Sequence, residues 1–212
     1  TVSLDSNKVI SKEKTGYRMG EMVEGLEIVG GSSPNSIAAG QNQVFVTNAT
    51  NDNISILDPV SGKTTGMIKL NIDKRIDSFR GLIPFGIELS HDGTRLYAAL
   101  SGLNAIAVID TRDLTVMGYI PTGWVPTKLQ ISPDDKTLYV VTARGLGSGP
   151  NGGSDFVLSK AGTYVGDIML GTFEKINIEQ ADLNSTTLQV KNNTFKEVKI
   201  KDDGRNPLPP VS

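Results

Sequence analysis

Apolar residues in this chain fall into short runs separated by turn-forming residues, and the runs recur in the same order. Val44-Phe45-Val46-Thr47-Asn48 is followed by Asn53-Ile54-Ser55-Ile56-Leu57-Asp58. Leu96-Tyr97-Ala98-Ala99-Leu100 is followed by Ala105-Ile106-Ala107-Val108-Ile109-Asp110, and Leu138-Tyr139-Val140-Val141-Thr142 opens a third copy. Tyr97 lies 52 positions after Phe45, and Tyr139 lies 42 after Tyr97. Ahead of each run stands a proline-led segment: Pro34–Gly40, Pro84–Ser90 and Pro126–Ser132. Their alternation of apolar and polar positions predicts strands with one face turned inward. Proline is tolerated at a strand start, where no ladder donor is yet required. Ala105–Ile109 is apolar throughout, which predicts a strand covered on both faces.

Turn chemistry separates these strands. His91-Asp92-Gly93-Thr94 and Pro133-Asp134-Asp135-Lys136 favour tight hairpins, through tolerance of left-handed backbone and a preset proline φ. Pro59-Val60-Ser61-Gly62 and Thr111-Arg112-Asp113 lead into fourth strands at Lys63–Leu70 and Leu114–Ile120. A unit of roughly 40–50 residues built only of short antiparallel strands predicts β-propeller blades. The expected fold is all-β, a partial propeller of about three to four four-stranded blades. A β-sandwich would not repeat the same Pro, Asp and Tyr marks in the same order. The blades are expected over 1–178: a partial blade and connection at 1–30, then repeats at 31–83, 84–125 and 126–178. Within the first stretch, Val2-Ser3-Leu4-Asp5 matches a third strand and Lys8-Val9-Ile10 a fourth, so a start upstream of Thr1 is expected. The third repeat carries a glycine-rich insertion from Gly145 to Gly153 and resumes near Gly171–Ile178. Residues 179–212 are expected to hold a helix or strand, with Glu179–Asn192 read as a short helix, and a linker at Asp202–Pro210. Open blade ends are expected to expose Ile54, Ile56, Leu96 and Val108, favouring association with the remaining blades or a second copy.

Charge narrows the range of partners. Lys+Arg number 21 and Asp+Glu 23, for a formal charge of −2, so neither nucleic acid nor an anionic membrane surface is an expected partner. No apolar run approaches the roughly 18 residues that cross a bilayer. The absence of cysteine excludes disulfides, thiolate metal sites and cysteine nucleophiles, and leaves the compartment open. The Gly145–Gly153 stretch lacks the Lys-Ser/Thr of a phosphate loop and reads as a partner-facing loop. His91, the sole histidine, fills a turn slot that Pro133 fills in the next repeat, and reads as solvated. Asp58 and Asp110 share a repeat position and are expected to bond their own turns. No catalytic residue, metal site or cofactor is therefore expected here.

Binding candidates sit where rigid strands hold connections. Asn35, Phe85 and Thr127 follow the repeat prolines. Asn48, Asn53, Asn104 and Arg144 lie between second and third strands, and Arg80 lies in the insertion Asn71–Leu82. Trp124, the sole tryptophan, occupies a Pro-Thr-Gly-Trp-Val-Pro loop, either stacking on a ligand or capping the blade core. The expected partner is a protein or a small-molecule ligand on this face.

These marks resemble the YVTN-type β-propeller repeat, in which proline, an inner strand and an Asp-Gly turn precede Tyr-Val-Ala/Thr-Asn and Val-Ser-Val-Ile-Asp. The match covers most of residues 1–178. Phe45-Val46-Thr47-Asn48 and Tyr139-Val140-Val141-Thr142 are near the family wording, while Tyr97-Ala98-Ala99-Leu100 departs from it. The family includes surface-layer propellers and propellers like the quinoprotein amine dehydrogenase β-chain. Ile120–Thr127 together with Gly145–Gly152 is similar to a narrower subset, bacterial propellers that precede an alkaline-phosphatase-like phosphoesterase domain. The resemblance implies a seven-bladed ring in a bacterial extracytoplasmic protein: periplasmic, cell-surface or secreted. It implies a binding or scaffold module, or alternatively the accessory half of a metal-dependent phosphoesterase. Nothing in residues 1–212 resembles that domain's metal ligands or nucleophile.

Overall fold

The computed structural model describes residues 1–76, 80–145, 147 and 169–196. The expected loop and linker at 148–153 and 202–210, and part of the 71–82 insertion, lie outside the described residues. Two short hairpins open the chain. β1 (Val2–Ser3) pairs with β2 (Lys8–Val9), and β3 (Met22–Val23) with β4 (Leu26–Glu27). Blade 1 follows, made of β5 (Pro34–Ala39), β6 (Val44–Asn48), β7 (Asn53–Leu57) and β8 (Thr64–Lys69). Blade 2 consists of β9 (Pro84–Leu89), β10 (Arg95–Leu100), β11 (Ala105–Asp110) and β12 (Thr115–Pro121). In blade 3, β13 (Trp124–Ile131), β14 (Thr137–Gly145) and β15 (Thr172–Asn177) pair in order. Every strand in these sheets is antiparallel to its chain neighbour.

The leading strands β5, β9 and β13 touch in succession, so the blades fan out from one axis. Their approach is close. A Cβ on Gly86 would lie 2.7 Å from the Thr127 carbonyl oxygen. Side-chain hydroxyls add bonds between blades here: Thr47 Oγ1 donates to the Phe85 carbonyl (2.9 Å) and Ser101 Oγ to the Pro126 carbonyl (2.6 Å). This is the construction of a partial β-propeller, mostly β, as the repeats predict.

Blade 2 shows why its central strands are apolar at every position. Leu96, Ala98, Leu100, Ala105, Ala107 and Ile109 face blade 1, in a core with Phe45, Ile54 and Ile56. Tyr97, Ala99, Ile106 and Val108 face blade 3, with Leu129, Ile131, Leu138 and Val140. Alternation persists, but both faces are covered. Ile54, Ile56, Leu96 and Val108 are therefore buried between blades rather than exposed at open ends, which corrects the expectation for them. The outward face of blade 1 carries Ile37 and Met67 instead, and that of blade 3 carries Val141 and Phe173.

Blade 3 has three strands among the described residues, where four are expected. After β15 the chain enters helix α1 (Leu183–Thr194). Asp182 caps it, its side chain accepting the Asn184 amide at 3.1 Å. The helix lies on β12, where Thr187 Oγ1 accepts the Tyr119 amide at 2.8 Å. A Cβ on Gly118 would crowd Thr187 and Leu183, so glycine there admits the helix. Leu183 joins the core between blades 2 and 3, and Val190 the core between blades 1 and 2.

Truncating Leu96, fully buried between two blades, is expected to cost about 2–5 kcal/mol in Leu96→Ala. Ile37→Ala, on an outward face, is expected to cost less than about 1 kcal/mol. Urea denaturation compares them, and equal losses would contradict the assignment of faces.

Candidate functional site

Alternate connections of an antiparallel meander fall on opposite faces. One face carries the turns after the first and third strands. Its turns carry local Asp bonds, and one of them also reaches the next blade. Asp58 Oδ1 accepts the Ser61 amide (2.6 Å) and hydroxyl (2.7 Å), as its repeat position predicts. Asp110 accepts the Arg112 amide at 2.9 Å and pairs with Arg95 and Arg112. The Arg112 guanidinium holds its carboxyl well below the usual carboxylate range. His91 sits in the predicted turn and is half-exposed, but it is also bonded: its Nδ1 lies 2.7 Å from Asp135 Oδ1 of the next blade.

The opposite face carries the β6–β7, β10–β11, β8–β9 and β12–β13 connections, and the β14–β15 connection also leaves from it. All nine candidates fall at or beside it. Asn35 and Phe85 (40% exposed) stand at the starts of their axial strands, and Thr127 is the fourth residue of β13, each next to its repeat proline. Trp124 is 44% exposed and belongs to neither core, and Trp124 pairs in register with Gly145, beside exposed Arg144. Asn48 and Asn53 are fully buried. Asn48 Nδ2 donates to Asn53 Oδ1 (2.8 Å) and Ser55 Oγ (2.9 Å). Ser55 Oγ in turn accepts the Gly16 amide, and Asn51 Oδ1 the Tyr17 amide, so this cluster holds the leading segment over blade 1.

The sequence reading names Asn104 as a binding candidate and misses its repeat equivalent, Asp52. Asp52 and Asn104 are repeat equivalents in left-handed backbone, at φ 51° and 55°. Asp and Asn visit this region more readily than other non-glycine residues. The Asp52 carbonyl accepts the Leu70 amide, and the Asn104 carbonyl the Thr122 amide, both at 3.0 Å. Asp52 Oδ1 accepts the Ile83 amide and Asn104 Oδ1 the Val125 amide, both at 2.9 Å. Ile83 and Val125 each precede a repeat proline at positive φ, 52° and 59°. Each Asx thus clamps the chain as it crosses to the next blade. Asp52 goes further, since its Oδ2 accepts the Gly81 amide at 2.6 Å. The available signal was the acidic or amide residue set just before the third strand in both repeats.

A second bond fixes the Trp124 loop: the Gly123 amide donates to Glu174 Oε1 at 2.7 Å. Between blades 1 and 2 the same face opens into a cavity of about 170 Å³. Leu70, Ile76, Leu82 and Leu103 line it with Asp52 and Arg80. The Arg80 guanidinium lies 5.9 Å from the Tyr17 ring centroid. Among the described residues no group of three or more His, Asp or Glu side chains is placed to hold a metal, and no helix is long and apolar enough to cross a membrane.

The architecture is that of β-propeller blades with a loop-bearing face. No protein-family model matches the chain, and no curated protein is significantly similar to it. Among solved structures it is similar to hydrazine synthase of Kuenenia stuttgartiensis, at 23% identity and a TM-score of 0.48. That match covers 60% of this chain and 33% of that one. It is also similar to a streptogramin B lyase, at 19% identity and a TM-score of 0.46, over 71% of this chain and 42% of that one. The chain thus spans less than half the length of either. The blade assignment stands on its own strand order and packing.

Asn104→Ala should destabilise the protein by about 1–3 kcal/mol, by leaving the Val125 amide without its acceptor and alanine in left-handed backbone. Asn104→Gly should recover only the backbone share. Hydrogen exchange at Val125 measures the clamp directly, and unchanged protection in Asn104→Ala would contradict it.

Proposed function

We propose that this chain is a non-catalytic binding and scaffold module, a YVTN-type propeller segment of a bacterial extracytoplasmic protein. The observation that supports this most is the placing of exposed Trp124 in register with Gly145, next in sequence to exposed Arg144, at one edge of a rigid, loop-bearing face. Tryptophan and arginine dominate binding hot spots because they offer large contact area with a polar or charged handle. Here the Asn104 and Glu174 bonds hold the Trp124 loop in advance, so binding orders little chain. The ligand is a protein or a small molecule seated on this face, with Phe85, Asn35 and Thr127 lining its axial side.

Trp124→Ala and Arg144→Ala should each reduce capture of the partner from a bacterial extracytoplasmic extract at least tenfold, with circular dichroism unchanged. Undiminished capture by both folded variants overturns this reading.

The outward face of blade 3 supports a second contact, with remaining blades or a second copy. Phe173 is 68% exposed there, and its ring stacks on Tyr139 at 5.8 Å between centroids, beside exposed Val141. Light scattering should detect self-association that Phe173→Asp weakens. A monodisperse monomer that binds no hydrophobic dye would sink this contact.

A further inference from the structure

We propose that the cavity between blades 1 and 2 binds a small monocarboxylate with an apolar body, held by Arg80. The inference rests on the reading of this face as the binding face, and it adds a ligand class and a place, the cavity between blades 1 and 2, whose lining does not include Trp124. One nitrogen of the Arg80 guanidinium has no acceptor among the described residues, although the group faces the Tyr17 ring and lies near enough to Glu24 to add to Lys69's lowering of that carboxyl's pKa. Arg80 Nη2 is sealed from solvent and makes no hydrogen bond. No carboxylate among the described residues lies within ion-pair distance of Arg80. The other charges lining the cavity are committed. Both Asp52 oxygens accept backbone amides, from Gly81 and Ile83, and Lys69 Nζ pairs with Glu24 at 2.5 Å. A buried guanidinium nitrogen without an acceptor is costly, and a carboxylate matches its fork with two parallel bonds.

The rest of the cavity sets the ligand's body. Leu70, Ile76, Leu82 and Leu103 give it aliphatic walls. Its volume of about 170 Å³ is close to that of a cavity of about 150 Å³ that holds benzene. A second negative charge on the ligand would meet the Asp52 carboxylate, which disfavours dicarboxylates. Gly102 shapes the wall, because a Cβ there would overlap the Gly81 carbonyl.

Benzoate and its neutral analogue benzamide are the probes, titrated into the full chain by calorimetry and methyl NMR. Benzoate should bind saturably, shift the Leu82 and Leu103 methyls, and exceed benzamide at least tenfold. Arg80→Gln should weaken benzoate at least tenfold and leave benzamide unchanged, while Arg80→Lys, which keeps the charge and loses the fork, should weaken benzoate by a smaller factor. Trp124→Ala should leave benzoate binding intact. Equal affinity for the two probes, or no loss in a folded Arg80→Gln, overturns the proposal. Failure of benzoate while partner capture still needs Trp124 removes the cavity inference alone. Loss of the Trp124 and Arg144 dependence removes the reading of the face.

Discussion

The constraint on which this molecule depends is that its middle sheet, blade 2, must be covered on both sides. A two-layer β protein hides one face of each strand and wets the other. Here β10 and β11 have no wet face at all. Each fully buried Leu or Ile contributes about 1.5–3 kcal/mol when removed from water. Blade 2 collects such contributions from both neighbours at once. The small residues Ala98, Ala99, Ala105 and Ala107 let the flanking sheets come near, and larger ones fill the spaces left.

Once the sheets are fixed in this way, the two loop faces diverge in character. On one, Asp58, Asp92, Asp110 and Asp134 each fold a turn back on itself with local bonds. On the other, the bonds run between consecutive strands of different blades, through Asp52 and Asn104. The first face is a set of hairpins closed by local bonds, with a link across blades from His91 to Asp135. The second is a chain of handovers from blade to blade, and the exposed aromatic and basic side chains lie along it. Rigidity and exposure coincide there because the clamps are backbone bonds, leaving the side chains of Trp124 and Phe85 free of the core.

Much of the fold was legible in the residues, because the repeat writes each strand and each hairpin turn in the same order. Pro34, Pro84 and Pro126 mark the axial strands, and Ala105–Ile109 announces its own double burial. What the pattern did not reveal was which apolar residues meet which neighbour. Ile54 and Leu96 read as end residues until the blade order placed them face to face. Helix α1 was visible, but its position on β12 depends on the gap above Gly118, a matter of tertiary fit. At the candidate site the residue types were legible and their burial was not. Asn48 and Asn53 share the look of surface loop residues, yet both are buried inside the blade, where Asn48 Nδ2 donates to Asn53 Oδ1.

The placement of α1 bears on how sheets of this kind meet one another. An outermost strand presents unpaired amides and carbonyls, a template onto which a foreign strand can grow. On blade 2 the Thr187 hydroxyl takes the amide of Tyr119, and the helix body lies along that border. On blade 1 the leading segment does the same, with Glu13 accepting the Thr64 amide and pairing with Lys63. Edgewise extension of these two sheets into a continuous ribbon is thereby obstructed, and contact between copies is steered toward flat surfaces, where side-chain shape rather than backbone repetition decides the fit.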